Sequence, residues 1–298
     1  MKDPAVDDAY NQCLHITRSH YENFPVASRL IARDLRKPIS VIYAFARTAD
    51  DFADEGCDEA DVRLAKLDDY VAKLDALSRG EQPDHPVFIA LLDTIRIFQL
   101  PLSPFYDLLT AFRMDVTKKR YANFTEVMHY CRYSANPVGN LLLHLHNKAS
   151  RENLARSDAI CTALQLINFL QDIEQDYVES GRIYLPQDEM ALYKVDEEYI
   201  RHRRTNAAVL TLIDIQITRI LDLMNQGISL GWELTGRVGF ELRMTIYGGL
   251  RILDRLHQQR DDIYTRPRLG KRDWCWMAWM AIQRRSQPYS LRKQDCLP

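Results

Sequence analysis

Two stretches decide the reading of this chain: Tyr43-Ala44-Phe45-Ala46-Arg47-Thr48-Ala49-Asp50-Asp51-Phe52-Ala53-Asp54 and Gln165-Leu166-Ile167-Asn168-Phe169-Leu170-Gln171-Asp172-Ile173-Glu174-Gln175-Asp176. In each, polar residues recur at three- and four-residue steps. They are Tyr43, Arg47, Asp50 and Asp54 in the first, and Gln165, Asn168, Asp172 and Asp176 in the second. At about 100° per residue each set falls within one narrow stripe of an α-helix. Ile42, Ala44, Phe45 and Ala49 surround the first stripe; Leu164, Ile167, Phe169 and Leu170 surround the second. A carboxylate in apolar surroundings is costly unless something pairs with it. Two such rows facing each other would be held together by divalent cations and whatever anion those cations bind.

Working outward, the same periodicity dominates the whole sequence, and long alternating β-branched runs are missing. Pro- and Gly-bearing breaks separate segments predicted as helices: 5–20, 38–54, 59–78, 87–98, 104–116, 124–146, 151–178, 196–226, 230–259 and 272–285. The four long ones, from 124–146 onward, are the expected walls. No stretch reads as a linker, a repeat or a low-complexity tract, so residues 1–298 are expected to form a single all-α domain. With 11 glycines there is no G-x-G-x-x-G and no Walker loop.

A formal net charge of −2 lacks the basic excess of a nucleic-acid binder, so no nucleic-acid partner is expected. Any anionic ligand must be held by local cations. The six cysteines show no C-x-x-C pair and read as reduced thiols filling the core of a cytoplasmic protein. His144 and His146 would diverge on a helix, which argues against zinc. Neither a signal peptide nor a run of roughly 20 apolar residues fit to span a membrane is present. Trp274-Cys275-Trp276-Met277-Ala278-Trp279-Met280-Ala281-Ile282 has two readings: a last helix packed on the body, or an aromatic and basic contact with a membrane surface, peripheral at the inner membrane.

Asp50 and Asp54, one turn apart, can bracket a hard divalent cation, with Asp51 assisting from the flank. Mg²⁺ suits oxygen ligands, keeps several waters and bridges carboxylates to phosphates. Arg47 and Tyr43 continue the stripe to where a guanidinium could grip phosphate oxygens. Taken alone, such a stripe is commonly a surface helix with an internal Arg–Asp pair. Asn168, Asp172 and Asp176 on successive turns weigh against that reading. Carboxylates converging without cations would repel and protonate; with Mg²⁺ they attract a diphosphate. Metals and arginines then stabilise the leaving group, and a C–O bond breaks to give a carbocation in a dry apolar pocket.

The first stretch resembles the first aspartate-rich motif of the squalene/phytoene synthase family. The second, followed by Gly181-Arg182-Ile183-Tyr184-Leu185-Pro186, resembles the family's second. The similarity runs over about residues 10–285. It implies an all-α isoprenoid synthase fold with a central cavity. By this resemblance Asp50, Asp54, Asn168, Asp172 and Asp176 are Mg²⁺ ligands, with Asp51 beside them. Tyr43, Arg47, Gln165, Gln171 and Arg266 face the substrate, and Tyr130 matches a tyrosine near the reacting carbons.

Three departures point to a branch. Gln171 replaces the usual arginine, Tyr130-Cys131-Arg132-Tyr133-Ser134-Ala135-Asn136-Pro137-Val138-Gly139 replaces a Val-Ala-Gly-rich segment, and His20-Tyr21-Glu22-Asn23-Phe24-Pro25-Val26 replaces a Ser-Phe-rich flap. All three are similar to the bacterial hydroxysqualene synthases of hopanoid pathways. That branch ionises presqualene diphosphate and lets water capture the rearranged cation, without NADPH. Loss of an arginine at 171 fits a smaller phosphate load. Asn136, His20 or Tyr130 could hold the water, while Asn136-Pro137 also reads as a simple helix kink and Tyr130 as packing. The resemblance implies as partners an upstream presqualene diphosphate synthase and a downstream flavin-dependent reductase. A synthase condensing two allylic diphosphates is the alternative enzyme, and a helical assembly factor the non-enzymatic one.

Overall fold

The computed structural model describes residues 4–19, 32–54, 56, 58–283 and 289–291. Among these, the regular elements are helices: α1 (Pro4–Ser19), α2 (Arg36–Asp54), α3 (Ala60–Ser78), α4 (Pro86–Phe98), α5 (Ser103–Thr117), α6 (Phe124–Ser134), α7 (Asn136–Leu145), α8 (Arg151–Gln171), α9 (Ile173–Ser180), α10 (Gln187–Leu192), α11 (Glu197–Arg201), α12 (Ala207–Gly227), α13 (Leu230–Glu233), α14 (Gly236–Gln258) and α15 (Lys271–Ile282). Extended pairing among the described residues is limited to one isolated bridge between Arg120 and Ile183.

The expected long walls are subdivided. Ala135 separates α6 from α7, because Pro137 near the start of α7 lacks the N–H that a continuous helix would need. Asp172 bends the 151–178 segment without any Pro or Gly; its φ of −115° and ψ of 19° leave the helical region. Asn206 starts α12 by accepting from the Val209 amide, as an N-cap does. Gly236, with φ of +67°, marks the break before α14.

The described chain divides into two compact units. The first comprises residues 1–117 and 133–154. In it α2 packs against α1, α3, α4 and α5. Phe45 of α2 anchors the packing, with ring centroids 5.5 Å from Tyr70, 5.8 Å from Phe88 and 5.2 Å from Phe105. Tilted and edge-on ring pairs of this kind add to the burial energy of each ring. Val41, Ala44, Phe45 and Ala49 are fully buried, which fixes which face of α2 turns outward.

The second unit comprises residues 118–132 and 155–298. Here α14 packs against α12, α13 and α15. Gly227 lets α12 approach α8 closely: a Cβ there would lie 2.5 Å from the Arg156 carbonyl oxygen. Arg251 and Arg255 of α14 both bind the carboxylate of Asp273, a residue of α15 that is fully enclosed.

Candidate active site

In the first unit the outward face of α2 carries the predicted row. Arg47 Nη1 donates to Asp50 Oδ2 at 3.1 Å, and its Nη2 lies 2.7 Å from Asp51 Oδ1. These acids are half-buried rather than embedded, since the apolar neighbours in sequence occupy the opposite face. Tyr43 stands one turn earlier; burial raises its phenol pKa, partly offset by Arg47. Asp54 is exposed in the last turn. Arg63 of α3 secures that end by donating to the carbonyls of Ala53, Gly56 and Asp58. Asn136, also in this unit, is buried in the first turn of α7.

In the second unit Gln165 is half-buried on α8, and Asn168 is exposed between the buried Ile167 and Phe169. Asp172 sits at the bend yet keeps its bonds on both sides: its N–H donates to Asn168 at 2.9 Å, and its carbonyl accepts from Asp176 at 2.8 Å. Asn168, Asp172 and Asp176 therefore stay in succession across the joint. The Asp172 carboxylate meets Arg266 Nε at 2.6 Å. Burial raises the pKa of Asp172 even so, with Arg266 pulling the other way.

Asp176 lies in the first turn of α9, where the helix dipole favours an anion. Burial nevertheless pushes its carboxyl up to about 7, aided by the neighbouring Asp172 and resisted by Arg182 and Arg266. Arg182 follows Gly181, whose φ of +68° closes α9 and returns the chain; the Arg182 N–H donates to the Asp176 carbonyl at 3.0 Å.

Tyr184 from this return stacks on Phe169 at 3.6 Å, with the rings 5° from parallel. Tyr130 closes the cluster, its centroid 6.0 Å from Phe169, 5.7 Å from Tyr184 and 5.6 Å from Tyr121. Beside it lies a small apolar pocket lined by Leu166, Phe169, Leu170 and Ile173, with Asp176 and Arg182 contributing polar groups. The α8 residues among these, Leu166, Phe169 and Leu170, lie on average about a third of a turn round the helix from the acid stripe.

The segment after α14 presents Arg266. Its carbonyls have side-chain donors: Gln259 to Asp262 and Thr265, Gln171 to Pro267 at 2.7 Å, and Arg255 to Arg268 at 2.7 Å. Arg203 ties the same segment to α9 through Glu174, Asp262 and Thr265.

The acids, the arginines beside them and the all-helical frame define an enzyme of the isoprenoid synthase fold. The squalene/phytoene synthase family model matches residues 17–274, and the chain belongs to that family. It is 39% identical to a hydroxysqualene synthase of Rhodopseudomonas palustris over 83% of each chain. It is 35% identical to one of Sinorhizobium fredii over 84% of each. Among solved structures it resembles squalene synthase HpnC from Alicyclobacillus acidocaldarius, with a TM-score of 0.81, 35% identity, and 88% of this chain and 97% of that one covered. A dehydrosqualene synthase shares the fold at a TM-score of 0.80 and 22% identity, covering 93% of this chain and 96% of that one.

The family generally uses Mg²⁺. Among the described residues no three His, Cys, Asp or Glu side chains are gathered into a metal centre. The donors nevertheless fit Mg²⁺, which needs only one or two carboxylates together with waters and phosphate oxygens. Asp176, half-buried beside a second carboxylate, is a group that a cation would relieve.

His20 lies outside the described residues. Sequence reasoning passed over Arg63 and Gln259. Both act on main-chain carbonyls, for which a sequence carries no signature.

Proposed function

We propose that this chain is a hydroxysqualene synthase. Presqualene diphosphate and water give hydroxysqualene and diphosphate, as a step of squalene and hopanoid biosynthesis. The observation that carries this reading is the presence of both oxygen rows, Asp50/Asp51/Asp54 and Asn168/Asp172/Asp176, in a chain 39% identical to a hydroxysqualene synthase across most of its length. These rows would hold Mg²⁺, which when bound supplies positive charge to the departing diphosphate.

Arg47, Tyr43 and Arg266 bind diphosphate oxygens and fix the leaving group, and Gln165 and Gln171 border the same substrate. The C–O bond of the cyclopropylcarbinyl ester then breaks. Ring faces such as Tyr130 steady the rearranging cation while the surrounding apolar side chains exclude bulk water. A single water, positioned by Asn136, His20 or Tyr130, adds its lone pair to the cation, and its proton leaves with the diphosphate. The sum is redox-neutral, so NADPH has no part in it.

A separate presqualene diphosphate synthase must supply the substrate. A flavin-dependent reductase must then remove the hydroxyl to reach squalene. Purified protein given presqualene diphosphate and Mg²⁺ is expected to release hydroxysqualene, and EDTA to stop it. Squalene as product, or no turnover, refutes the reading. Presqualene diphosphate formed from farnesyl diphosphate alone would establish the two-substrate alternative.

Substrate and product are water-insoluble, and α15 offers a way to reach them. Trp274 (56% exposed), Trp279 (49%) and Ile282 (72%) protrude beside the exposed Lys271 and Arg272, while Asp273 turns inward. No described helix is long and apolar enough to cross a membrane. We therefore read this face as a peripheral contact with an anionic bilayer on the cytoplasmic side, in a cell interior that keeps Cys13, Cys131, Cys161 and Cys275 as free thiols. Co-sedimentation with phosphatidylglycerol vesicles should be lost in Trp274→Ser/Trp279→Ser. Unchanged binding removes α15 from the account.

A further inference from the structure

Gln171 stands where the family usually carries arginine, and a smaller phosphate load explains only why the arginine is dispensable. It leaves open what the glutamine does. From its contacts we infer that Gln171 is a positioning residue that seats the segment Thr265-Arg266-Pro267-Arg268 so that Arg266 is delivered to Asp172.

Two consecutive residues at the end of α8 meet two consecutive residues of the segment. Gln171 Nε2 donates to the Pro267 carbonyl at 2.7 Å, and Asp172 Oδ1 forms an ion pair with Arg266, 2.6 Å from its Nε. The pairs form a two-point latch, in which the amide fixes the backbone and the carboxylate receives the guanidinium one residue away. Pro267 suits the arrangement. It has no N–H to offer, so its carbonyl is the only backbone handle, and its ring stiffens the chain beside Arg266. No helix or sheet holds this stretch; side-chain donors on its carbonyls do that work.

The neutrality of Gln171 matters as much as its donor. An arginine could also reach the carbonyl, but it would bring a second cation beside Asp172 and Arg266. The amide holds the segment without competing for the acid. The inference rests on the diphosphate reading of this site for what Arg266 grips, and on geometry alone for how it is held.

Gln171→Met keeps the shape and removes the donor; Gln171→Arg restores a donor. Amide hydrogen exchange at Thr265 and Gly270, whose N–H groups donate to Asp262 and Asp273 on either side of the latch, measured without any ligand, is expected to quicken in Gln171→Met and to keep its wild-type rate in Gln171→Arg. With Mg²⁺ present, inorganic diphosphate should bind Gln171→Met about fivefold to tenfold more weakly, equivalent to about 1 to 1.4 kcal/mol. KM for presqualene diphosphate should rise by the same factor with kcat nearly unchanged. Unchanged exchange overturns the inference. Faster exchange with undiminished diphosphate affinity overturns delivery of Arg266 as its purpose. Because the exchange arm uses no substrate, failure of the hydroxysqualene reading would show separately, as wild-type protein that does not turn over. Gln171→Leu serves in place of Met if that variant does not fold.

Discussion

Asp176→Asn should stabilise the metal-free protein at alkaline pH while weakening its response to Mg²⁺. In the folded chain the Asp176 carboxyl titrates at about 7 against an ordinary 3.8, mainly because it is buried and secondarily because Asp172 is near. A raised acid pKa places the stability contribution at low pH. It is fully present below about 3.8 and is lost as pH rises towards 7, because the unfolded chain releases the proton first. A gap of about three pH units corresponds to about 4 kcal/mol, and partial solvent access reduces that to about 2 kcal/mol.

Asparagine carries no such penalty. In EDTA at pH 8, Asp176→Asn is therefore expected to exceed wild type by about 2 kcal/mol. At about pH 3, below the ordinary carboxylate range, the margin should fall close to zero. Urea titration followed by tryptophan fluorescence suits the measurement, because Trp232, Trp274, Trp276 and Trp279 all lie in the same unit as Asp176. Adding Mg²⁺ with inorganic diphosphate should then raise wild type more than the variant. A variant weaker than wild type at pH 8, or a margin independent of pH, would refute the reasoning.

Arg63→Met removes the donor to three carbonyls flanking Asp54 and is expected to lower kcat/KM about tenfold with Mg²⁺; full activity would free that turn from any role in seating Asp54. Gly227→Ala places a Cβ 2.5 Å from the Arg156 carbonyl oxygen and from Ile160 Cγ1, and should cost about 2 kcal/mol in chemical denaturation, whereas a neutral effect would show that α12 can move off α8. Tyr130→Phe keeps the ring among Tyr121, Phe169 and Tyr184, so thermal stability should barely change. Its turnover should fall about 100-fold, and wild-type turnover would assign Tyr130 to packing alone.

The all-α class was legible because the acid rows and the apolar residues between them share the helical period. Phe45 shows how well that period reports packing: its place among polar stripe residues put it on the opposite, buried face. Burial of the acids was less legible. Apolar neighbours in sequence left those of α2 half-buried, because on a helix neighbours in sequence point elsewhere. The bend at Asp172 carries no Pro or Gly to announce it. Gln171 and Arg63 were unreadable in their structural roles for a common reason: each binds a carbonyl oxygen, and every residue type supplies that group. Cys13 and Cys131, expected as core filler, are buried with thiols pushed up to about 12.

The Arg266–Asp172 contact has a consequence for reversibility. A divalent ion that took the Asp172 oxygen facing Arg266 would compete with a resident guanidinium, so its affinity there would be a difference between two attractions. An exchange of this kind would keep binding shallow, with Arg266 at hand to neutralise the acid whenever no ion is bound. Asp172 would then not stand as a bare carboxylate, whichever cation it holds.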